Sequence, residues 1–311
     1  MKYALLISEF LSTPWAMMPD RISSAAAIIA RRINGDRNIM EDNDFGERQS
    51  AWETRMQQAS SLGGGGIAVL PLYGTIVQRA GMMTEWCGGT STQQFTAAFR
   101  NAMADNSVGG ILIDVDSPGG SVYGVPELAD EIYQSRGQKP IIAIANSLSA
   151  SAAYWLGTAA DEMYCTPGGE TGSIGVWGAH EDYSKYLDEM GVKTTLISAG
   201  KFKVEGNPYE QLSDEARSFQ QKRVDEYYAM FTKAVARQRG VPVGQVRDGM
   251  GQGRVLGPQD CQNEKMIDDI MTFDDAIKRL SKKMRSGGNS AAKPSLNRAA
   301  QSLRDLELLT H

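Results

Sequence analysis

The apolar run Pro140-Ile-Ile-Ala-Ile-Ala145 passes into a cluster of small residues, Asn146 to Ser151, and then into a helix-forming stretch, 152–160. This reads as a buried strand that feeds a helix through a tight junction. Free N–H groups and the positive end of the helix dipole gather at such a junction and favour developing negative charge. A serine hydroxyl held there suits a nucleophile, and the next N–H suits one half of an oxyanion hole. The residues in question are Ser151 and Ala152. The other reading is that Ser147, Ser149 and Ser151 serve only as caps and turn formers.

A second apolar run, Gly109-Gly-Ile-Leu-Ile-Asp-Val-Asp116, predicts another buried strand, followed by the turn Ser117-Pro-Gly-Gly-Ser121. Two glycines after a buried strand let the backbone approach a ligand closely, so the Gly119 N–H could face the Ala152 N–H across an oxyanion. An ordinary strand-to-helix turn explains the same residues. Further strands are expected at 67–74, where Pro71 suggests an edge or bulge, and at 162–165, 172–177 and 193–198. Helices are expected at 90–104, with Phe95, Ala98, Phe99 and Ala102 on one face, at 126–135, at 182–190, and from Ser213 to about Gly240. Residues 255–270 read as a short α/β return. Strands alternating with helices predict an α/β domain.

The main domain is expected over 67–280. Before it, 1–62 reads as a mainly helical appendage, with helices near 23–33 and 47–62, and Gly63-Gly-Gly-Gly66 as a flexible joint. After it, 281–311 reads as a basic disordered tail with six Lys or Arg against two acids. A hydrophobic fraction of 41% and a charged fraction of 22% are those of a soluble globular protein. The net charge of −5 gives no general affinity for nucleic acid. Three cysteines without a CxxC spacing argue against a disulfide framework or a zinc site and fit a reducing compartment. No apolar run approaches the roughly 18 residues of a membrane span. Glu9 interrupts the only stretch that could pass for a leader, so a mature cytoplasmic protein is expected.

A serine nucleophile needs a base. The chain has two histidines, His180 and the terminal His311, so a Ser–His pair must use His180. The other option is a lysine brought towards neutrality by burial. Lys201 and Lys203 share one face of Lys201-Phe-Lys-Val-Glu205 if that segment is extended, although the pattern alone also suits solvated surface charges. There is no Walker sequence, GxGxxG, HExxH or GxSxG.

Four blocks taken together resemble the signal peptide peptidase A family of serine peptidases. They are Asp114-Val-Asp-Ser-Pro-Gly-Gly-Ser121, Ser151-Ala-Ala-Tyr-Trp155, Thr171-Gly-Ser-Ile-Gly-Val176 and Lys201-Phe-Lys-Val-Glu-Gly-Asn-Pro-Tyr209. The last block and Thr13-Pro-Trp-Ala16 resemble the phage branch, the head maturation proteases and minor capsid proteins of lambda-type phages. The resemblance implies a Clp-protease/crotonase-like fold of stacked ββα units. It implies a Ser–Lys dyad of Ser151 and Lys203, with Gly119 and Ala152 as oxyanion donors and Ser173 orienting the lysine. Ala152 and Ala153 stand where the family often has glycine. No metal and no cofactor are implied. Implied partners are scaffold, portal or capsid proteins as substrates, and further copies of the chain in a ring-like oligomer whose sites are sometimes built across subunits. The implied location is host cytoplasm or prohead, with no role for nucleic acid or membrane. Competing readings are a Clp-like peptidase using Ser151 and His180, a non-proteolytic capsid or scaffold component, and, more distantly, an acyl-CoA enzyme, since a shared fold does not fix chemistry.

Overall fold

The computed structural model describes residues 13–21, 66–80 and 89–287. The expected helices at 23–33 and 47–62, most of the glycine joint and the tail beyond 287 lie outside these residues.

Among the described residues, a seven-stranded sheet forms the centre. Its middle strands are β5 (Gly110–Ser117) and β7 (Ile141–Ala150), paired in parallel. Strand β2 (Ile67–Tyr73) runs parallel to β5 on the edge that the proline predicted. On the other side, β7 pairs with both β8 (Glu162–Cys165) and β9 (Glu170–Gly172). The short strands β10 (Val255–Leu256) and β11 (Asp269–Ile270) extend β9 and β8, which is the expected α/β return. The chain is therefore mixed α/β with parallel strands.

The central stretches of β2, β5 and β7 are mostly apolar because both faces are covered, and side chains alternate between the faces with period two. Leu70, Leu72, Ile111, Ile113, Val115, Ile141, Ala143 and Ala145 enter one core. Helices α1 (Thr92–Ala104), α2 (Val125–Gln134), α3 (Ala152–Gly157) and α5 (Asp214–Arg239) pack into it. Ile67, Val69, Leu112, Ile142 and Ile144 face the other way, onto Ala276, Ile277 and Leu280 of α8 (Phe273–Gly287). Burying each such Leu or Ile contributes roughly 1.5–3 kcal/mol before entropy is counted. Helix α8 runs seven residues past the expected domain end at 280. Between α3 and α5 lies the short α4 (Ser184–Glu189); α6 (Val243–Asp248) and α7 (Pro258–Asn263) follow α5. Among the described residues no helix is long and apolar enough to cross a membrane.

A second, four-stranded sheet takes the order β1-β6-β3-β4, from β1 (Trp15–Met17), β6 (Gly119–Ser121), β3 (Thr75–Val77) and β4 (Gly89–Ser91). Gly74, at φ +62°, turns the chain out of β2 into β3 and so from one sheet to the other. Three local expectations change. Residues 119–121, read as a turn, are a strand, because β1 and β3 pair with them. The strand expected at 172–177 lies earlier, at 170–172, because Gly172 is where β7 and β10 both offer partners. The expected strand at 193–198 is an exposed segment that pairs with no described strand.

Candidate active site

Strand β7 passes into α3 through a sharp junction. Between Val115 and Ser117, β5 advances two residues while β7 advances four, from Ala145 to Ser149. This bulge turns Ser147 outward, where its hydroxyl donates to Asp116 at 2.5 Å. The strand resumes at Ser149 and Ala150, pairs with β9, and ends just before Ser151. Ser151 has φ +56° and ψ −119°, a conformation costly for any residue with a Cβ. Its N–H donates to the Gly172 carbonyl at 2.7 Å, and its own carbonyl accepts the Trp155 N–H at 3.0 Å.

Helix α3 behind it is wholly buried. Trp155 stacks on Phe231 of α5, with centroids 4.6 Å apart and planes 7° from parallel. The Tyr154 hydroxyl donates to the Met266 carbonyl at 2.9 Å, and burial raises the phenol well above its ordinary value. A rigid support of this kind holds the strained serine in place.

Gly119 meets Ser151 directly. It has φ +96°, and a Cβ built there would stand 2.9 Å from Ser151 Cβ, 3.0 Å from the Ala150 carbonyl oxygen and 2.3 Å from the Ala16 carbonyl oxygen. A side chain at this position would force its neighbours to shift. Its N–H donates to Ser117 Oγ at 3.2 Å, and Ser117 Oγ donates onward to the Gly74 carbonyl at 2.6 Å. Ala152 is the first residue of α3, where a helix leaves its N–H groups without intrahelical acceptors. Ser173, at φ +53°, is held by its N–H to the Arg254 carbonyl at 2.7 Å. Two residues on, the Gly175 carbonyl accepts a 3.4 Å bond from Ser151 Oγ. Ser151, Ala152, Gly119 and the 172–175 turn thus come together.

Among the described residues, none of the three candidate bases hydrogen-bonds Ser151. His180 Nε2 lies 2.9 Å from the Asn207 carbonyl oxygen, which ties it to the turn after the lysines. That turn is also fixed by the Asn207 side-chain amide to Val204 and Glu210, and by the Tyr183 N–H to the Pro208 carbonyl. Lys201 donates to Glu215 at 3.0 Å and lies over the Phe202 ring. Lys203 is exposed and, among the described residues, makes no ion pair and no hydrogen bond to Ser151. The whole stretch 191–203 is exposed, with Leu196 at 41%, Ile197 at 96% and Phe202 at 51%.

Two thiols in the core are not nucleophile candidates. Burial pushes Cys165 up to about 12 and also raises Cys261. Among the described residues no group of three or more His, Cys, Asp or Glu could hold a metal ion.

Sequence reasoning missed what lies across the serine. Ser151 is only 1% exposed, and β1 pairs with β6 beside it. The one signal was Trp15-Ala-Met-Met18, an apolar run far upstream of the domain core.

Comparison with known proteins gives a consistent grouping. Residues 134–286 match the model of Peptidase family S49. The chain is 36% identical over 262 residues to the capsid assembly protease C of Escherichia phage lambda, covering 84% of this chain and 56% of that protein. It is 37% identical over 231 residues to the head-tail preconnector protein GP5 of Enterobacteria phage P21, covering 74% and 46%. The chain spans about half the length of these curated relatives. A solved ClpP1 mutant from Listeria monocytogenes aligns over 71% of this chain and 98% of its own, at TM-score 0.44 and 13% identity.

Proposed function

We propose that this chain, whose residues 134–286 match the model of Peptidase family S49, is a serine endopeptidase of phage head maturation, a reading supported by that match and by the Ser151 junction. The observation that carries the reading is the close approach of Gly119 to a strained, buried serine at the start of a helix. Ser151 Oγ attacks the peptide carbonyl, and the N–H groups of Gly119 and Ala152 take the developing oxyanion. Lys203 accepts the serine proton, returns it to the leaving amine, and then activates the water that releases the acyl group. Ser173 orients the lysine.

A lysine serves as general base once burial favours its neutral form. Segment 191–203 must therefore be covered in the working enzyme. Its exposed Leu196, Ile197 and Phe202 offer the apolar surface for that cover, and a second copy of the chain is the proposed occupant. His180 then acts through Asn207 as a clasp on the turn behind Lys203. Substrates are proposed to be scaffold, portal or capsid proteins inside the head precursor, a proposal supported by the names of the two phage relatives.

The test is Ser151→Ala, Lys203→Ala and His180→Ala, followed by cleavage of the chain itself and of a co-expressed scaffold protein. Loss in the first two with a milder effect of the third supports the dyad. Survival of Lys203→Ala with loss in His180→Ala would replace it by a Ser–His pair. A wild type that cleaves nothing yet assembles with capsid proteins would favour the structural role.

A further inference from the structure

If Ser151 is the nucleophile proposed above, its surroundings raise a problem. A serine at 1% exposure cannot meet a peptide carbonyl. Beside it, across Gly119, lies β1, a segment about fifty residues upstream of the central sheet in sequence. Both edges of this strand are paired. Towards β6 the register is antiparallel, with Trp15 opposite Ser121, Ala16 opposite Gly120 and Met17 opposite Gly119. The flanking bonds are Val122 N–H to the Pro14 carbonyl at 3.4 Å and Met18 N–H to the Pro118 carbonyl at 3.1 Å. On the other edge, Trp15 and Trp177 exchange N–H bonds at 2.8 and 2.9 Å, and the Trp177 indole N–H donates to the Met17 carbonyl at 2.9 Å.

The contact reaches the catalytic elements. The Ala16 carbonyl oxygen and Ser151 Cβ lie 2.3 Å and 2.9 Å from one point, the position a Gly119 Cβ would take. Backbone pairing on both edges, with pockets for alternate side chains, is how an extended peptide is held when it joins a sheet. The side chains fit the same description. Trp15 and Met17 form a small cluster of their own against Trp177, apart from the two cores. Ala16, between them, is fully buried in the main core. The strand has the character of a guest seated in a groove.

We infer that Trp15–Met17 occupies the peptide-binding groove as a substrate would, so that the chain's own N-terminal segment holds Ser151 closed until it is displaced. The groove takes an extended peptide running antiparallel to β6, with a small residue flanked by two large apolar ones. Tethering gives such a segment a high effective concentration, so a weak fit suffices to keep the groove occupied.

The inference rests on Ser151 as nucleophile, and two readouts separate the claims. In the full-length chain, labelling of Ser151 by a fluorophosphonate is timed in wild type and in the double variant Trp15→Ala, Met17→Ala. At least tenfold faster labelling of the variant is expected, slowed again by an added synthetic peptide of residues 12–19. Binding of that peptide, carrying a fluorophore, is measured separately on a Ser151→Ala background, where no chemistry is needed. It should bind the double variant and be excluded from the protein with native Trp15 and Met17. Equal labelling rates, or equal peptide binding with and without the two substitutions, would overturn the inference. Absence of labelling in every protein, with peptide binding as expected, would instead remove the nucleophile assignment and leave the groove. Should the double variant not fold, Trp15→Leu, which keeps an apolar filler, takes its place in both measurements.

Discussion

Replacing Gly119 by alanine tests the centre of the site. Two costs can be separated. The first is conformational: φ +96° suits glycine and penalises a Cβ by about 1 kcal/mol. The second is contact. The new methyl would stand 2.3 Å from one backbone oxygen and 3.0 Å from another, distances that backbone must yield to. Opening β1 from β6 loses about two hydrogen bonds, each about 1 kcal/mol net. A total near 3 kcal/mol follows. Gly137 supplies the control, since it has φ +76° and nothing within 4 Å of its Cβ position. Gly137→Ala should cost about 1 kcal/mol. Urea midpoints of the two variants measure the difference. On catalysis, the methyl sits 2.9 Å from Ser151 Cβ and turns the neighbouring N–H, so kcat/KM on a peptide substrate should fall by about 10²–10³, as for loss of one oxyanion donor. The reasoning is refuted if Gly119→Ala is no less stable than Gly137→Ala and keeps kcat/KM within about threefold of wild type.

Ser151→Gly should abolish cleavage yet be more stable than Ser151→Ala by about 1–2 kcal/mol, because glycine relieves the strain at φ +56° and alanine keeps it; paired thermal melts check this. Glu162 accepts from Arg279 at 2.7 and 2.8 Å, Lys283 at 2.7 Å and Tyr164 at 2.6 Å. Burial alone would raise its carboxyl, but these donors outweigh it and hold it at about 2, against an ordinary 4.5. A depressed carboxyl stabilises fully above the unfolded value and loses that contribution as pH falls towards the folded one. With Arg279 half exposed, about 1–2 kcal/mol survives screening. Glu162→Gln should therefore lower the Tm at pH 7, and the gap to wild type should shrink between pH 4.5 and 3. Phe231→Ala should cost about 3–5 kcal/mol and roughly 10 °C in Tm, since the ring is buried against Trp155. Peptidase activity should fall with it, because Trp155 lies on the helix behind Ser151.

What was legible in the sequence was what neighbouring residues decide among themselves. Ser213 caps α5 through the Ala216 N–H, and Gly240 closes it in the left-handed conformation. Both could be read from residue type and spacing. Strands β5 and β7 were legible because burial on both faces leaves a continuous apolar run. The face of α1 was only partly so. Phe95, Phe99 and Ala102 are buried as the periodicity predicted, but Thr92 takes the position expected of Ala98, which is exposed. The helix is turned by its Ser91 cap, and by Thr92 and Ser91 bonding the Gln78 carbonyl, a contact from another part of the chain.

Two of the strand differences have one physical cause. Val192-Lys-Thr-Thr-Leu-Ile-Ser198 has the β-branched composition of a strand, and Trp15-Ala-Met17 does not announce one. Yet the first pairs with no described strand, while the second is paired on both edges. Composition says what suits a pleated surface, whereas a strand exists only where another backbone offers its N–H and C=O groups. For β1 that offer comes from Gly119–Ser121 and Trp177, more than a hundred residues away. For 193–198 the described chain makes no such offer, and Ile197 stays 96% exposed. The residue types of the proposed dyad could thus be read from the sequence, but their approach could not. On the proposed reading it depends on what covers the segment that carries Lys203, and a segment with strand-like composition whose backbone pairs with no described strand suits the second copy of the chain proposed there.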